Sequence, residues 1–462
     1  MLFFTKKNNL YYIWFLIFIN AEILSFLAFN FKILNLFILI LLTLLIFIIG
    51  FKKPIFLFLI PLAELFWGSL GHSFDYGIFN TRLVIFLVVI LLFIFKYFFK
   101  LKKLKILKNK KLLFIYLLTL LFITLGIERG YNNNYELSKI FLDSNAYFYL
   151  LYLPIWYEVY DKKYIKDILI ILYTSALITA LKTLILFNIF VQDYSLLNIK
   201  LIYKWLRDTR TGEITSLGNN WRIFMQSQIY ILFAWFFSLV KQIKVYSYKN
   251  FIYLSILISA LIISLSRSFY LGLIFGIILL LINIFIFQKK LLNFKLFFNI
   301  LSIFIIGFII TQLLFNIPKI NNIINISQRT KVEEAVNSRL QLLPHMLKSI
   351  KEEPLLGHGF GKEITYFTSD PRSKGEYTTF SFEWGWLDQI VKVGIGLVWI
   401  LIIWIIRIYY LAFQQLKDKP VIVLSLMSGL TALVIIHIFS PYLNHPLGLG
   451  FLMLTTLIIY NE

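Results

Sequence analysis

"ILNLFILILLTLLIFIIG", residues 33–50, is the stretch that decides the fold class of this chain. It contains no charged side chain, and almost all of its residues are aliphatic or aromatic. An α-helix needs about 20 largely apolar residues to cross the hydrocarbon core of a bilayer. The stretch therefore predicts a membrane-spanning helix.

Similar apolar stretches recur along the whole chain. Of its 462 residues 60% are hydrophobic and only 15% are charged, which is unlike a soluble globular protein. We predict an all-α, polytopic integral membrane protein with about 12–14 transmembrane helices, in which residues 1–462 form a single transmembrane domain. The predicted spans lie near residues 10–28, 33–50, 54–71, 83–99, 112–126, 146–159, 168–190, 223–240, 251–266, 270–288, 296–316, 386–410, 421–440 and 447–461.

The connections between these spans differ in charge. Lys-rich connections, such as "KYFFKLKKLKILKNKK" at 96–111, fall on alternate turns. By the positive-inside rule those turns and both termini are cytoplasmic. The extracytoplasmic face then receives residues 191–222, the turn around Arg267 and a large loop at 317–385. This topology signal accounts for the net charge of +22, so we expect no nucleic-acid partner.

Arginines follow a different distribution from lysines. Nine of the ten Arg fall on the predicted extracytoplasmic side, and only Arg407 does not. A guanidinium binds phosphate oxygens in a bidentate manner, so this segregation favours a phosphorylated ligand on that face. The alternative is chance placement in a chain of biased composition. The nine are Arg82, Arg129, Arg207, Arg210, Arg222, Arg267, Arg329, Arg339 and Arg372.

Metal and thiol chemistry find no support in the sequence. The chain has no cysteine, and its five histidines include no HExxH or other compact ligand spacing. We therefore expect no metal and no cofactor.

Two short stretches place arginines at predicted helix mouths. "NNWRIFMQSQ" (219–228) sets Arg222 at the start of a span, and "SLSRSFYLG" (264–272) sets Arg267 in a turn between two spans. A charge deep in the bilayer would cost about 2.5–3.5 kcal/mol, so an arginine at a helix mouth is tolerated but seldom idle. Each can bind a ligand, or extend to lipid phosphates.

The extracytoplasmic loop contains a predicted amphipathic helix. In "VNSRLQLLPHMLKSIKEEPLLGHGFG" (336–361), Leu340, Leu343, Leu347 and Ile350 recur at helical spacing before Pro354. We expect this helix to lie along the membrane surface with Arg339 in its first turn. The glycines that follow lack the GK[ST] of a phosphate loop, which favours a flexible turn.

A single acid opens the next predicted span. In "SFEWGWLDQIVKVGIGL" (381–397), Glu383 lies at the outer end of the helix. It can act as a general base, or only complement the helix dipole. Trp384 and Trp386 can stack on a ligand or anchor the chain at the interface. His445, in "PYLNHPLGLG" (441–450), is the last candidate for contact with the substrate.

Four charged residues fall inside predicted spans. They are costly to insert unless they are paired or face a polar cavity, and the sequence identifies no partners for them. They are Glu22, Glu64, Lys182 and Lys392.

Four of these features, in this order, resemble the O-antigen ligase and O-antigen polymerase superfamily of bacterial cell-surface polysaccharide assembly. They are Arg222 opening a span, the "SRS" turn at Arg267, Arg339 followed by "PLLGHGFG", and the polar position 383 followed by "VKVGIGL". The resemblance is best over residues 215–400. Members are metal-independent, inverting membrane glycosyltransferases whose donor is a glycan on undecaprenyl diphosphate.

The resemblance implies a role for each matched residue. Arg222 and Arg267 would hold the diphosphate, and Arg339 would support the donor or its leaving group. Ligases of this family carry His then Asn where this chain has Glu383 and Trp384, which favours a polymerase-like member. The implied catalytic residues are Glu383, Arg267 and Arg339; the implied contacts to diphosphate or glycan are Arg222, Arg267, Arg339, Trp384, Trp386 and His445.

The leading expectation is a polymerase at the periplasmic face of the bacterial inner membrane. It would transfer a glycan from undecaprenyl diphosphate onto a lipid-linked repeat unit. The alternatives are a ligase that passes the glycan to lipid A core and a flippase for lipid-linked oligosaccharide. Expected partners are the undecaprenyl diphosphate-linked oligosaccharide, membrane lipids, a chain-length regulator and a separate flippase.

Overall fold

The structure is a computed structural model that describes residues 9–68, 70–192, 194, 198–217, 220–288, 294–314, 330–370 and 374–461. The chain is predominantly helical. Its helices are Asn9–Asn30 (α1), Lys32–Lys52 (α2), Phe56–Trp67 (α3), Thr81–Tyr97 (α4), Lys105–Lys108 (α5), Lys110–Asn132 (α6), Leu137–Ser144 (α7), Tyr152–Val159 (α8), Ile165–Gln192 (α9), Ile199–Asp208 (α10), Gln228–Lys244 (α11), Tyr248–Ile263 (α12), Arg267–Phe287 (α13), Phe294–Leu314 (α14), Thr330–Glu352 (α15), Gly385–Val393 (α16), Ile395–Gln415 (α17), Pro420–Phe439 (α18) and Pro446–Asn461 (α19).

Many of these helices have the length and composition of membrane spans. In the described ranges eight are long and apolar enough to cross a bilayer: α1, α2, α6, α9, α13, α14, α17 and α18. Three shorter apolar helices, α3, α12 and α19, accompany them. Outward side chains such as Phe37, Leu44 and Ile48 are at least half exposed, which suits contact with lipid rather than water. The fold is that of an all-α polytopic membrane protein, as predicted.

In the part of the chain that the structure describes, three antiparallel strand pairs lie outside the helices, and the sequence analysis foresaw none of them. Asp75–Tyr76 (β1) pairs with Phe79–Asn80 (β2), Gly212–Leu217 (β3) with Asn220–Met225 (β4), and Ile364–Thr368 (β5) with Gly375–Thr379 (β6). Two of them occupy the segments where long extracytoplasmic loops were predicted. The start of the predicted loop at 317–385 lies outside the described residues, as do Arg329 and Arg372.

Several predicted helix boundaries are wrong. The predicted span 386–410 is two helices, because Gly394 adopts φ +84° and interrupts the hydrogen-bond ladder between α16 and α17. The predicted span 223–240 begins only at Gln228, because the residues before it pair as strand β4. The predicted span 146–159 is a 3₁₀ segment followed by the eight-residue α8.

The loop helix α15 exists, and its predicted apolar face is exposed only in part. Leu340 and Leu347 remain 51% and 43% exposed, whereas Ile350 packs against the buried cluster that Leu342 and Met346 form with β5. The exposed part of the predicted face, at Leu340 and Leu347, is therefore available for contact with lipid.

The intramembrane charges that had no predicted partner are all paired. Lys182 Nζ lies 2.5 Å from Glu22 Oε2, and Arg82 forms a bidentate pair with Glu64 at 2.9–3.1 Å. The fourth, Lys392, contacts two carboxylates. A buried charge without its partner destabilises a protein far more than a buried ion pair does. These contacts therefore lower the free-energy cost of burying the four charges.

Candidate active site

Residues 439–445, between α18 and α19, connect the parts of the candidate site. Ser440 Oγ lies 3.2 Å from Ser268 Oγ in the first turn of α13. The Tyr442 ring packs on Phe269, with centroids 5.7 Å apart, and the Phe439 ring packs on Trp384 at 5.6 Å. The α13 end that carries Arg267 and the α16 end that carries Glu383 are therefore joined through this short segment.

Arg222 is held beside the turn that precedes Arg267. Its Nε donates to the carbonyl of Ser264 at 2.9 Å, and its guanidinium lies 5.3 Å from the Phe224 ring centroid. The prediction that Arg222 opens a helix is wrong, because it lies in the middle of β4 opposite Thr215. The strand nevertheless brings it to the α12–α13 turn, next to the second predicted arginine.

Arg267 is the first residue of α13 and is exposed. Among the described residues its side chain has no hydrogen-bond or ion-pair partner. The residue two positions earlier, Leu265, has φ +47°, an unfavourable conformation for a branched side chain that is typical of functional turns. A free guanidinium at a helix N-terminus combines a full positive charge with free backbone N–H donors, and such a site attracts an anion.

Glu383 forms an ion pair with Arg339, so two residues that are 44 positions apart in the sequence meet in the fold. The Arg339 side chain is 39% exposed and that of Glu383 is 55% exposed, so solvent or a ligand can reach both. Trp384 Nε1 donates to the Arg339 carbonyl at 3.2 Å and fixes the two chain segments together. The ion pair favours the ionised form of the Glu383 carboxylate.

The helix-dipole interpretation of Glu383 is not supported by the geometry of α16. Trp384 occupies the N-cap position, and the acid in the first helical turn is Asp388. Glu383 therefore precedes the helix and contacts α15 instead.

The two predicted tryptophans differ in their surroundings. Trp386 packs edge-on against His437 with ring centroids 4.5 Å apart, and His437 Nδ1 accepts from the Leu443 N–H at 3.1 Å. Trp386 therefore helps to hold the 439–445 segment. Trp384 is half-buried next to the exposed ion pair, with its ring packed on Phe439.

His445 lies at the other end of the same segment, near the buried Arg82–Glu64 pair. Burial lowers the pKa of His445 to about 3, and the nearby Arg82 guanidinium lowers it further. Its Nδ1 accepts from the Leu447 N–H at 3.3 Å. At neutral pH the imidazole is uncharged, so it can offer a hydrogen bond but no positive charge to a diphosphate.

A buried ion cluster lies along α16, beyond Glu383. Lys392 Nζ contacts Asp143 Oδ1 of α7 and lies 2.6 Å from Asp388 Oδ1. Asn444 Nδ2 donates to Asp388 Oδ2 at 2.5 Å. Burial raises the pKa of Asp388 to about 7, although Lys392 opposes the rise and Asp143 adds to it. The sequence analysis noticed only Lys392, because no spacing relates it to Asp143.

The segment at 354–361 begins as an exposed turn at 354–356, but its glycines, which were predicted to form a flexible turn, are buried. Gly359 N–H donates to the Lys392 carbonyl at 2.8 Å, and Phe360 N–H donates to the Gly126 carbonyl at 3.0 Å. A Cβ on Gly359 would lie 2.2 Å from the backbone nitrogen of Gly130. The segment thus wedges between α6 and the α16–α17 break and needs glycine at this point of contact.

Comparison with known proteins gives one family match, to the central part of the chain. A family model described as O-antigen ligase matches residues 252–396, a segment that contains Arg267, Arg339 and Glu383 but not Arg222 or His445. No curated protein and no solved structure gives a significant match to the chain. Members of the matched family are glycosyltransferase-like enzymes. The match and the multi-pass helical fold support a relation of this chain to the O-antigen polymerase/ligase superfamily.

Proposed function

We propose that this protein is a polysaccharide polymerase. It transfers a glycan from undecaprenyl diphosphate onto a lipid-linked repeat unit, with inversion and without a metal, at the periplasmic face of the bacterial inner membrane. The observation that carries the proposal is the accessible Arg339–Glu383 pair, connected through residues 439–445 to the free Arg267. This arrangement offers a proton acceptor and an anion site at one end of the helices.

Arg267 and Arg222 bind the donor diphosphate in this proposal. Arg267 stands exposed at a helix N-terminus with no side-chain partner among the described residues, and Arg222 is fixed beside the preceding turn by the Ser264 carbonyl. When the bond between the sugar C1 and the diphosphate oxygen breaks, the diphosphate leaves as an anion. Preorganised guanidinium groups stabilise the charge that develops on it.

Glu383 receives the proton of the acceptor. The acceptor hydroxyl oxygen attacks C1 from the face opposite the diphosphate, which inverts the configuration, and its proton passes to the Glu383 carboxylate. Arg339 pairs with this carboxylate. A diphosphate that competes for Arg339 would weaken the pair and leave Glu383 a stronger base at the moment when the donor is in place.

A ligase is the second candidate, and the description of the matched family favours it. The carboxylate at 383 favours the polymerase, since the family resemblance associates ligases with His then Asn at this point of the chain. Both reactions use the same donor and the same leaving group. They differ only in the acceptor.

The decisive experiment is reconstitution of the purified protein in vesicles with lipid-linked repeat units and no nucleotide sugar. Lengthening of the glycan on its carrier is the expected result. Transfer only to added lipid A core would establish the ligase instead. Transport of unmodified lipid without a new glycosidic bond would refute both and identify a flippase.

The orientation of the site is tested separately. The chain has no native cysteine, so single cysteines introduced at exposed positions between 340 and 380 report topology without background. We expect a membrane-impermeant maleimide to label them from the periplasmic side in spheroplasts. Labelling only after permeabilisation would place the site on the cytoplasmic face and overturn the proposal.

A further inference from the structure

The buried ion cluster Asp143–Lys392–Asp388 touches the segments from which the candidate site is built. Lys392 and Asp388 belong to α16, and Asp143 belongs to α7. The Gly361 N–H donates to Asp143 Oδ2 at 3.0 Å, and Asn444 of the 439–445 segment donates to Asp388. Four separate parts of the chain thus meet at one lysine and two carboxylates.

Further contacts hold α16 at both of its ends. At the start, the Trp384 ring packs on Phe439 and its Nε1 donates to the Arg339 carbonyl. At the far end, the His358 and Gly359 N–H groups donate to the carbonyls of Val391 and Lys392. Because α16 is only nine residues long, a shift of the Lys392 end moves Glu383 as well.

The composition of the cluster does not suit a purely stabilising role. Lys392 is 2% exposed and Asp388 is 7% exposed, and two carboxylates share one ammonium. Well-packed apolar residues in place of a buried ion pair are often equally or more stable. Apolar packing is not directional, however, whereas the hydrogen bonds and ion pairs of this cluster fix the orientation of four chain segments.

We propose that the Asp143–Lys392–Asp388 cluster positions Glu383 for proton transfer, so that Lys392 is a positioning residue for the reaction. The inference rests on the proposed function. Lys392 does not touch substrate; it acts by setting where α16 presents Glu383 and Trp384 to the acceptor.

The test compares two buried lysines of similar burial. Lys392→Met removes the centre of the cluster, whereas Lys182→Met removes a paired lysine of α9 whose partner is Glu22 of α1. Both variants are reconstituted with lipid-linked repeat units, and kcat, donor KM and Tm are measured. A misplacement of about 1 Å costs about 100-fold in rate, so Lys392→Met should lower kcat by about that factor with an unchanged donor KM. Lys182→Met should lower Tm to a similar extent and keep its kcat.

Milder variants keep the test decisive if Lys392→Met does not fold. Asp388→Asn keeps one acceptor oxygen for Lys392, and a flip of the Asn444 amide lets its Oδ1 accept from the introduced NH2 group, so this variant should keep most of kcat. Asn444→Ala loses its contact to Asp388 and should lower kcat about 10-fold, again without a change in donor KM.

The outcomes separate this inference from the proposed function. If the wild-type protein forms no glycosidic bond, the proposed function fails. If it polymerises and Lys392→Met, or in its place Asn444→Ala, does so at the wild-type kcat, only the positioning role is overturned. The positioning role is also overturned if kcat falls equally in Lys392→Met and Lys182→Met, because the loss of activity is then explained by the loss of stability alone.

Discussion

Replacing Glu383 by Gln should separate activity from stability. The ion pair with Arg339 is exposed, at 55% for Glu383 and 39% for Arg339, so solvent screens it. Exposed pairs contribute about 0.2–1 kcal/mol to stability, so Glu383→Gln should change Tm by only a few degrees. Loss of a general base lowers the rate by about 10²–10⁴-fold, and even the lower figure corresponds to about 2.7 kcal/mol of barrier.

The chain provides a matched control for this substitution. Glu353, which directly follows loop helix α15, pairs with Arg129 at 3.1 Å and is 47% exposed, close to the exposure of Glu383. Glu353→Gln should therefore cause a similar change in Tm and leave chain lengthening within about twofold of wild type.

The assay measures glycan length on the lipid carrier over time in reconstituted vesicles, with Tm followed in the same detergent batch. A Glu383→Gln variant with full activity would refute the general-base role and leave the arginine site untouched. An equal loss of activity in Glu353→Gln would show that the loss reflects general damage to the loop rather than chemistry at position 383.

Four further predictions concern the site and its supports. Arg267→Gln should raise the donor KM about 10–100-fold, because a hydrogen bond to a charged group is worth about 1.5–3 kcal/mol; steady-state kinetics at varied donor concentration measures this. Arg82→Gln should lower stability by about 3–5 kcal/mol because it leaves Glu64 buried and unpaired, and adding Glu64→Gln should recover part of the loss in thermal unfolding. The stability of the wild type relative to Asp388→Asn should fall as pH rises from about 4 to about 7, since the folded-state pKa lies above the unfolded one and the folded protein retains the proton over that range. Gly359→Ala should cost about 3 kcal/mol in chemical unfolding, because residue 359 has φ +94° and abuts the backbone of α6.

The spans could be predicted from the sequence because lipid acts on each segment separately. The apolar run of α2 is long enough to cross the bilayer whatever its neighbours do, and it is a helix as predicted. The amphipathic pattern of α15 likewise marked a helix, although the pattern could not tell which face packs on the protein. The break at Gly394 was not foreseen, because glycine is common in membrane helices and its φ depends on the close approach of Leu355.

The residues of the candidate site could also be predicted from the sequence, but their contacts could not. Residue type and order along the chain were sufficient to single out Arg267, Arg339 and Glu383, all of which lie within the matched family segment. Their contacts were not predictable. The Arg339–Glu383 pair and the contact of Lys392 with Asp143 join residues 44 and 249 positions apart, and no periodicity reports such distances.

The sequence by itself determined that this chain is a multi-pass membrane protein and which charged residues could carry its chemistry. Both follow from the sequence because insertion of a segment into lipid depends on its own hydrophobicity, and because the positions of the arginines relative to the predicted spans can be read directly. Only the tertiary structure decided that Arg222 reaches the candidate site from a strand, that Arg339 pairs with Glu383, and that the cluster around Lys392 joins four segments of the chain. Those outcomes depend on which polar groups packing brings within hydrogen-bonding distance, and that is a property of the whole fold.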